Sequence, residues 1–248
     1  MTTTPPPEKN DRLAPPPDKS TGREVVEGVV EAAASVVPLV GGPVGVALAM
    51  TMGWAYNKRM QAWLQDVAEA ITELQDTIEG WPPFQDLAED EVFVDAVVHA
   101  SRAAQATHQD EKLNALRNGV LNSLGPDAPD VDEQARFFRL VDQLTPSHLR
   151  LLTFLDDPGA FFDAAGVARP NLLMGGRSSL LSQLPDFAGR PDGWVDLLTR
   201  DLSDAALTNM GGLNTISTGD SLWRSATSPL GGRFLRFIST PEALQTPS

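Results

Sequence analysis

Between Met60 and Trp81 the apolar residues recur as Met60, Leu64, Val67, Ile71, Leu74, Ile78 and Trp81, in steps that alternate four and three. That spacing is the a/d seam of a heptad repeat, and it fits only an α-helix whose apolar stripe meets another helix. Asp66, Glu69, Glu73, Asp76 and Glu79 fall off the seam and read as a solvated face. Trp81-Pro82-Pro83 then stops the helix, because proline removes a backbone donor and clashes with the preceding turn. Met60, Leu64, Val67, Ile71 and Leu74 are accordingly read as a self-association seam, with a homo-oligomer or another protein as partner.

Upstream of the seam, residues 32 to 57 carry no charge. A window this long raises the question of a membrane span. It is interrupted by Pro38-Leu39-Val40-Gly41-Gly42-Pro43, and seven of its residues are Gly, Pro or Ser. The reading is two helices, Thr21 to about Val37 and Pro43 to about Glu79, joined by a tight turn and packed closely at Gly41 and Gly42. Val37, Gly41, Gly42, Val46 and Leu48 are its packing residues. The alternative is a hairpin that inserts into the inner membrane or rests on its surface, using the same residues.

Two proline triplets, Pro5–Pro7 and Pro15–Pro17, stand among small and charged residues in the first 21 positions. A disordered tail is expected there. After Pro83 the apolar spacing predicts helices over 84–107, from His108 to Leu124, over 131–144 and over 146–155. Gly125-Pro126 and the acidic stretch to Glu133 read as a loop between two subdomains. Shorter helices follow near 160–165, 178–184 and 192–207. Leu213–Ser217 and Leu222–Thr227 read as a β-hairpin turning at Gly219-Asp220. Ser228-Pro229 opens a last helix. The expected fold class is mainly α: a tail (1–21), an antiparallel helical bundle (22–125), a winged-helix-like unit with a small β-hairpin (131–240) and a flexible end (241–248).

Composition excludes much. The chain has no cysteine, so disulfides, thiolate zinc sites and thiol catalysis are out. No secretory leader is read at the start, and a cytoplasmic protein is expected. Residues 1–130 hold 9 Lys and Arg against 20 Asp and Glu, and the remainder 10 against 13. Phosphate backbones are held by Lys and Arg that displace counterions, so nucleic acid is an unfavoured partner. Every cation of the second part is Arg, which suits fork-like pairing with carboxylates.

Candidate chemistry is sparse. Glu91, Asp95 and His99 are spaced one helical turn apart and form the one candidate metal cluster, with surface ion pairing as its ordinary explanation. His108 lies in an expected turn, and His148 in a first helical turn with no carboxylate at helical spacing before it. Gly175–Arg177 and Gly231–Arg233 repeat Gly-Gly-Arg, which could hold an anion or simply make turns. No Gly-x-Ser-x-Gly, phosphate-loop or dinucleotide fingerprint is present. No catalytic residue, metal ligand or cofactor is assigned.

Leu144-Thr-Pro-Ser-His-Leu-Arg-Leu-Leu152, the run from Trp194 to Leu202 and the 213–227 segment follow the order of a winged helix, and the unit resembles that family in topology. The resemblance implies that Trp194–Leu202 would enter a DNA groove. Asp196, Arg200, Asp201 and Asp204 there sum to a negative charge that phosphates repel, which favours protein contacts. Over residues 25–240, Pro-x-x-Gly-Gly-Pro, Asp110–Asn118, Leu144–Leu149 and Ser228–Ile238 come in an order that resembles a broad group of bacterial helical proteins and, distantly, the Abi-alpha abortive-infection group. That likeness implies phage defence or stress response, with no catalytic residue. The function expected is a non-enzymatic interaction or scaffold protein. The alternatives are a membrane-active effector and a DNA-binding regulator.

Overall fold

In the computed structural model the described residues are 43–245, apart from Pro126 and Asp192, with side chains from Tyr56 onward. The N-terminal tail, Val37, Gly41 and Gly42 lie outside them. Val46 and Leu48 lie in the helix that starts at Pro43, but their side chains are outside the described set. The chain divides into a unit ending at Met50 and a second unit, Thr51–Ser248. Of the first, the described part is the opening two turns of α1 (Pro43–Thr77).

α1 ends at Gly80, whose φ of +83° suits a residue without a side chain. Its buried stripe is Trp63, Val67, Ala70, Ile71 and Leu74. The stripe follows the heptad reading at Val67, Ile71 and Leu74, adds Ala70, and departs from it at one turn, where Trp63 faces inward and Leu64 outward. The Trp63 indole N–H donates to the Leu113 carbonyl at 3.2 Å, and Arg117 pairs with Asp66 at 3.1 Å. Val67, Ile71 and Leu74 are thus spent on the chain's own core, Met60 packs at its edge and Leu64 is exposed. The self-association seam is corrected accordingly: most of it is not available to a second copy.

The helix expected over 84–107 is two, α2 (Phe84–Glu89) and α3 (Glu91–Ala106). Asp90 makes the break: its backbone is extended and its carboxylate accepts from the Phe93 N–H at 2.9 Å. A local cap outcompetes continuation here. α3 buries Ala96, Ala100, Ala103 and Ala104, and these small side chains let α4 (Asp110–Asn122) and α5 (Val131–Gln143) come close. α4 starts at Asp110, after Gln109, and not at His108.

α6 (Pro146–Asp156) and α7 (Pro158–Ala164) follow, each opened by proline at its first position, with Asp157 capping the second. Next come α8 (Ser178–Leu181), α9 (Trp194–Asp204), α10 (Gly219–Leu222) and α11 (Pro229–Ile238). Ser228 caps α11 by accepting from the Gly231 N–H at 2.9 Å.

α11 returns to the bundle. Phe137 lies 5.4 Å from Phe234 and 5.3 Å from Phe237, and Phe138 lies 5.1 Å from Phe237, ring centre to ring centre. Gly119 of α4 leaves room for these rings: a Cβ there would stand 2.8 Å from Phe237 and 2.9 Å from Phe138. Asn118 donates to the Ile238 carbonyl at 2.9 Å, and Asn122 to those of Phe237 and Ser239 at 2.8 Å. The two amides, one turn apart on α4, satisfy carbonyls that the end of α11 leaves open. Residues 51–125 and 131–240 therefore share one core, and the subdomain boundary read at 125–131 is a loop within a single unit.

The expected hairpin of 213–217 with 222–227 is not formed among the described residues. Ser217–Thr218 (β2) instead pairs antiparallel with Met174–Gly175 (β1), some forty residues earlier, in the register Met174↔Thr218 and Gly175↔Ser217. Gly219–Leu222 is helical. The physical reason is Gly219. Its N–H donates to the Leu173 carbonyl at 2.9 Å, and a Cβ there would strike the Leu172 carbonyl. The glycine serves a close approach between distant segments and not a local turn. The molecule is mainly helical, with one small antiparallel sheet among the described residues, and the 213–227 segment does not form the wing expected there.

Candidate functional site: a charged cleft and an exposed apolar edge

α5 turns Phe137, Phe138, Leu140 and Val141 to the core, which leaves Arg136, Arg139 and Gln143 on its outer side. α9 buries Leu198 and Leu202, which sets Asp201 and Asp204 along one flank. These two flanks and the start of α6 enclose a cleft of about 560 Å³, floored by Leu140, Leu144 and Ala205. That volume lies within the range of small-molecule sites, roughly 300–1,000 Å³.

His148 stands at the inner end of the cleft and is 6% exposed. It occupies the third position of α6, where a capping box ordinarily carries Glu or Gln. The Thr145 N–H donates to its Nδ1 at 3.1 Å, and Thr145 Oγ1 is 2.8 Å from the same atom. Because Nδ1 accepts, the neutral ring carries its proton on Nε2, which lies 3.1 Å from Asp201 Oδ2. Both nitrogens are engaged. His148 thus ties α9 to the start of α6, and has no free lone pair with which to serve as base or metal ligand. The carboxylate absent from its own helix is supplied 53 residues later.

Arg136 donates to the Ala205 carbonyl at 3.0 Å, where a cation meets the negative end of α9. No ion pair joins Arg136 or Arg139 to Asp201 or Asp204 among the described residues. Two arginines and two aspartates therefore line one cleft without forming ion pairs with each other among the described residues.

The other sequence candidates resolve into structure. The His99 ring lies against Phe138, with centres 6.3 Å apart and planes 12° from parallel. The recess it lines with Asp95 holds about 20 Å³, and no trio of His, Asp or Glu converges as a metal site among the described residues. Arg177 donates to the carbonyls of Ser221 at 3.0 Å and Arg224 at 2.9 Å, and burial holds its pKa below the usual arginine value. Its guanidinium braces α10 and is not directed at an anion. Gly176 and Gly231 are positions of close approach, to the carbonyls of Leu213 and Leu207 respectively, and Arg233 pairs with Glu133 at 2.7 Å.

Sequence reasoning did not single out Leu173, Met174 and Ile216, which are 89%, 67% and 74% exposed. Met174 lies in β1, and Leu173 and Ile216 are the residues that immediately precede β1 and β2. No helix among the described residues is long and apolar enough to cross a membrane. No family model matches the chain, and no curated protein and no solved structure is significantly similar to it.

Proposed function

We propose that this is a non-enzymatic interaction protein whose partner-binding surface is the apolar edge of the β1–β2 sheet. The observation that carries the reading is the exposure of Leu173, Met174 and Ile216 together at one small sheet. Scattered exposed apolar residues need no explanation, but a grouped set on a structured edge loses contact with water only when another polypeptide covers it. A sheet edge also offers unpaired backbone groups to an added strand. The edge is held in place by the guanidinium of Arg177 and by the Gly219–Leu173 hydrogen bond. The engagement of both His148 nitrogens favours binding over acid–base chemistry. We infer a bacterial defence or stress-response setting from the motif order over residues 25–240 alone, and a cysteine-free chain suits the cytoplasm.

The test is in-cell cross-linking of the full chain beside a Met174→Asp/Ile216→Asp variant. The variant should keep its helical circular dichroism and melting temperature, because neither side chain is buried. Proteins cross-linked to the wild type should be lost from the variant. Equal recovery from both chains would refute the reading.

A further inference from the structure

The charged cleft carries an inference independent of the apolar edge. Arg136 and Arg139 project from one face of α5, three residues apart, and Asp201 and Asp204 from one face of α9 with the same spacing. Opposite charges that line one cleft can close into ion pairs. Here they do not, and the structure shows why for one residue of each wall. Asp201 is held by the His148 ring at 3.1 Å. Arg136 is held by the Ala205 carbonyl at 3.0 Å. Arg139 and Asp204, the outer members, are exposed and make no hydrogen bond or ion pair among the described residues. Their charges are left for something else.

A simple anion would satisfy the arginine wall and be repelled by the aspartates, and a simple cation the reverse. A molecule that satisfies both must carry a negative and a positive group separated by a short apolar or neutral span. The apolar floor of Leu140, Leu144 and Ala205 would receive that span. We propose that the cleft between α5 and α9 binds a small zwitterion of the amino-acid type, its carboxylate on Arg136 and Arg139 and its ammonium on Asp201 and Asp204. A volume of about 560 Å³ accommodates a free amino acid or a dipeptide. The guanidinium fork matches a carboxylate in plane and spacing, and the two prefixed side chains lessen the ordering that binding would otherwise require.

The experiment is calorimetric titration of the full chain with each common α-amino acid and with glycylglycine at millimolar concentration. The same titrations are run on Arg139→Ala and on Asp204→Asn. Neither side chain makes a hydrogen bond or ion pair among the described residues, so both variants keep the wild-type melting temperature, which is measured alongside. The expected result is binding of one or more zwitterions, weakened by about an order of magnitude or more in each variant. The N-acetylated and the C-amidated forms of the same ligand should each lose comparable affinity. The inference is overturned if no zwitterion binds, if either variant binds as the wild type does, or if a capped form binds equally well. None of these results bears on the sheet-edge surface.

Discussion

Replacing His148 with alanine removes a buried ring that two helices share. The bond from Nε2–H to the Asp201 carboxylate, 3.1 Å long, is of a kind worth roughly 1.5–3 kcal/mol. The lower end applies, because the Asp201 side chain is 45% exposed and water can replace part of the interaction. The reciprocal cap with Thr145 contributes about 0.5–2 kcal/mol. Together the substitution should cost about 2–3.5 kcal/mol, or a fall in melting temperature of about 4–14 °C for a unit of this size. His148→Gln separates the two contributions, since glutamine restores the capping box while losing the bond to α9. It should recover about 1 kcal/mol of the loss. A double-mutant cycle of His148→Ala with Asp201→Ala, read by denaturant unfolding, should give a coupling of about 1 kcal/mol. Nitrogen chemical shifts of the wild-type ring should report a proton on Nε2 and none on Nδ1 when the ring is neutral. Zero coupling, or a proton on Nδ1, would refute the assignment of His148 as the tie between α6 and α9.

Gly231→Ala should destabilise by about 3 kcal/mol or more, because its Cβ would overlap the Leu207 carbonyl, a backbone atom that cannot swing aside. Gly53→Ala in α1 meets nothing within 4 Å and should stabilise by about 0.5–1 kcal/mol; thermal unfolding of the pair checks both signs. Burial holds the Lys112 amine below its usual pKa, with Asp142 opposing in part. The unfolded chain then binds more protons than the folded one between the folded pKa and the unfolded value, so this lysine's contribution to stability rises with pH through that window. The stability of the wild type relative to Lys112→Met should accordingly increase toward pH ~10.4; a flat difference across that range would show that the amine is not desolvated.

What could be read from the sequence was local. The run from Trp81 to Pro83, Thr145-Pro146 and Ser228-Pro229 delimit helices by backbone sterics alone, and the helices lie where those signals place them. Asp90 shows the limit of such reading. An aspartate inside an apolar pattern is compatible with a continuing helix or with a new cap, and the choice depends on whether packing favours α2 and α3 at separate angles. The heptad run was legible as a helix, and Val67, Ile71 and Leu74 are buried as its spacing implies, but at its first turn Trp63 is buried in place of Leu64. Trp63 has a larger apolar area to hide than Leu64 and a carbonyl on α4 to receive its N–H.

The candidate sites were less legible, because each is made by residues far apart. His148 carried one local signal, its place at the third position of a capped helix, but nothing near it announces Asp201. Arg136 and Arg139 read as surface cations until α9 sets two carboxylates opposite them. Leu173 and Ile216 sit in loops whose composition does not say that the residues beside them pair as β1 and β2.

By itself, the sequence determined that this chain is a helical, cysteine-free, acidic protein, and it set most helix ends, because capping, proline geometry and periodicity act within a few residues. Tertiary structure alone decided that residues 51–125 and 131–240 share one core, that the small sheet joins segments forty residues apart, and that Val67, Ile71 and Leu74 face the chain's own core. Those outcomes depend on which apolar faces find each other and on where a glycine permits two backbones to touch. Such contacts are chosen by the packing free energy of the whole unit, and no short stretch of residues records them.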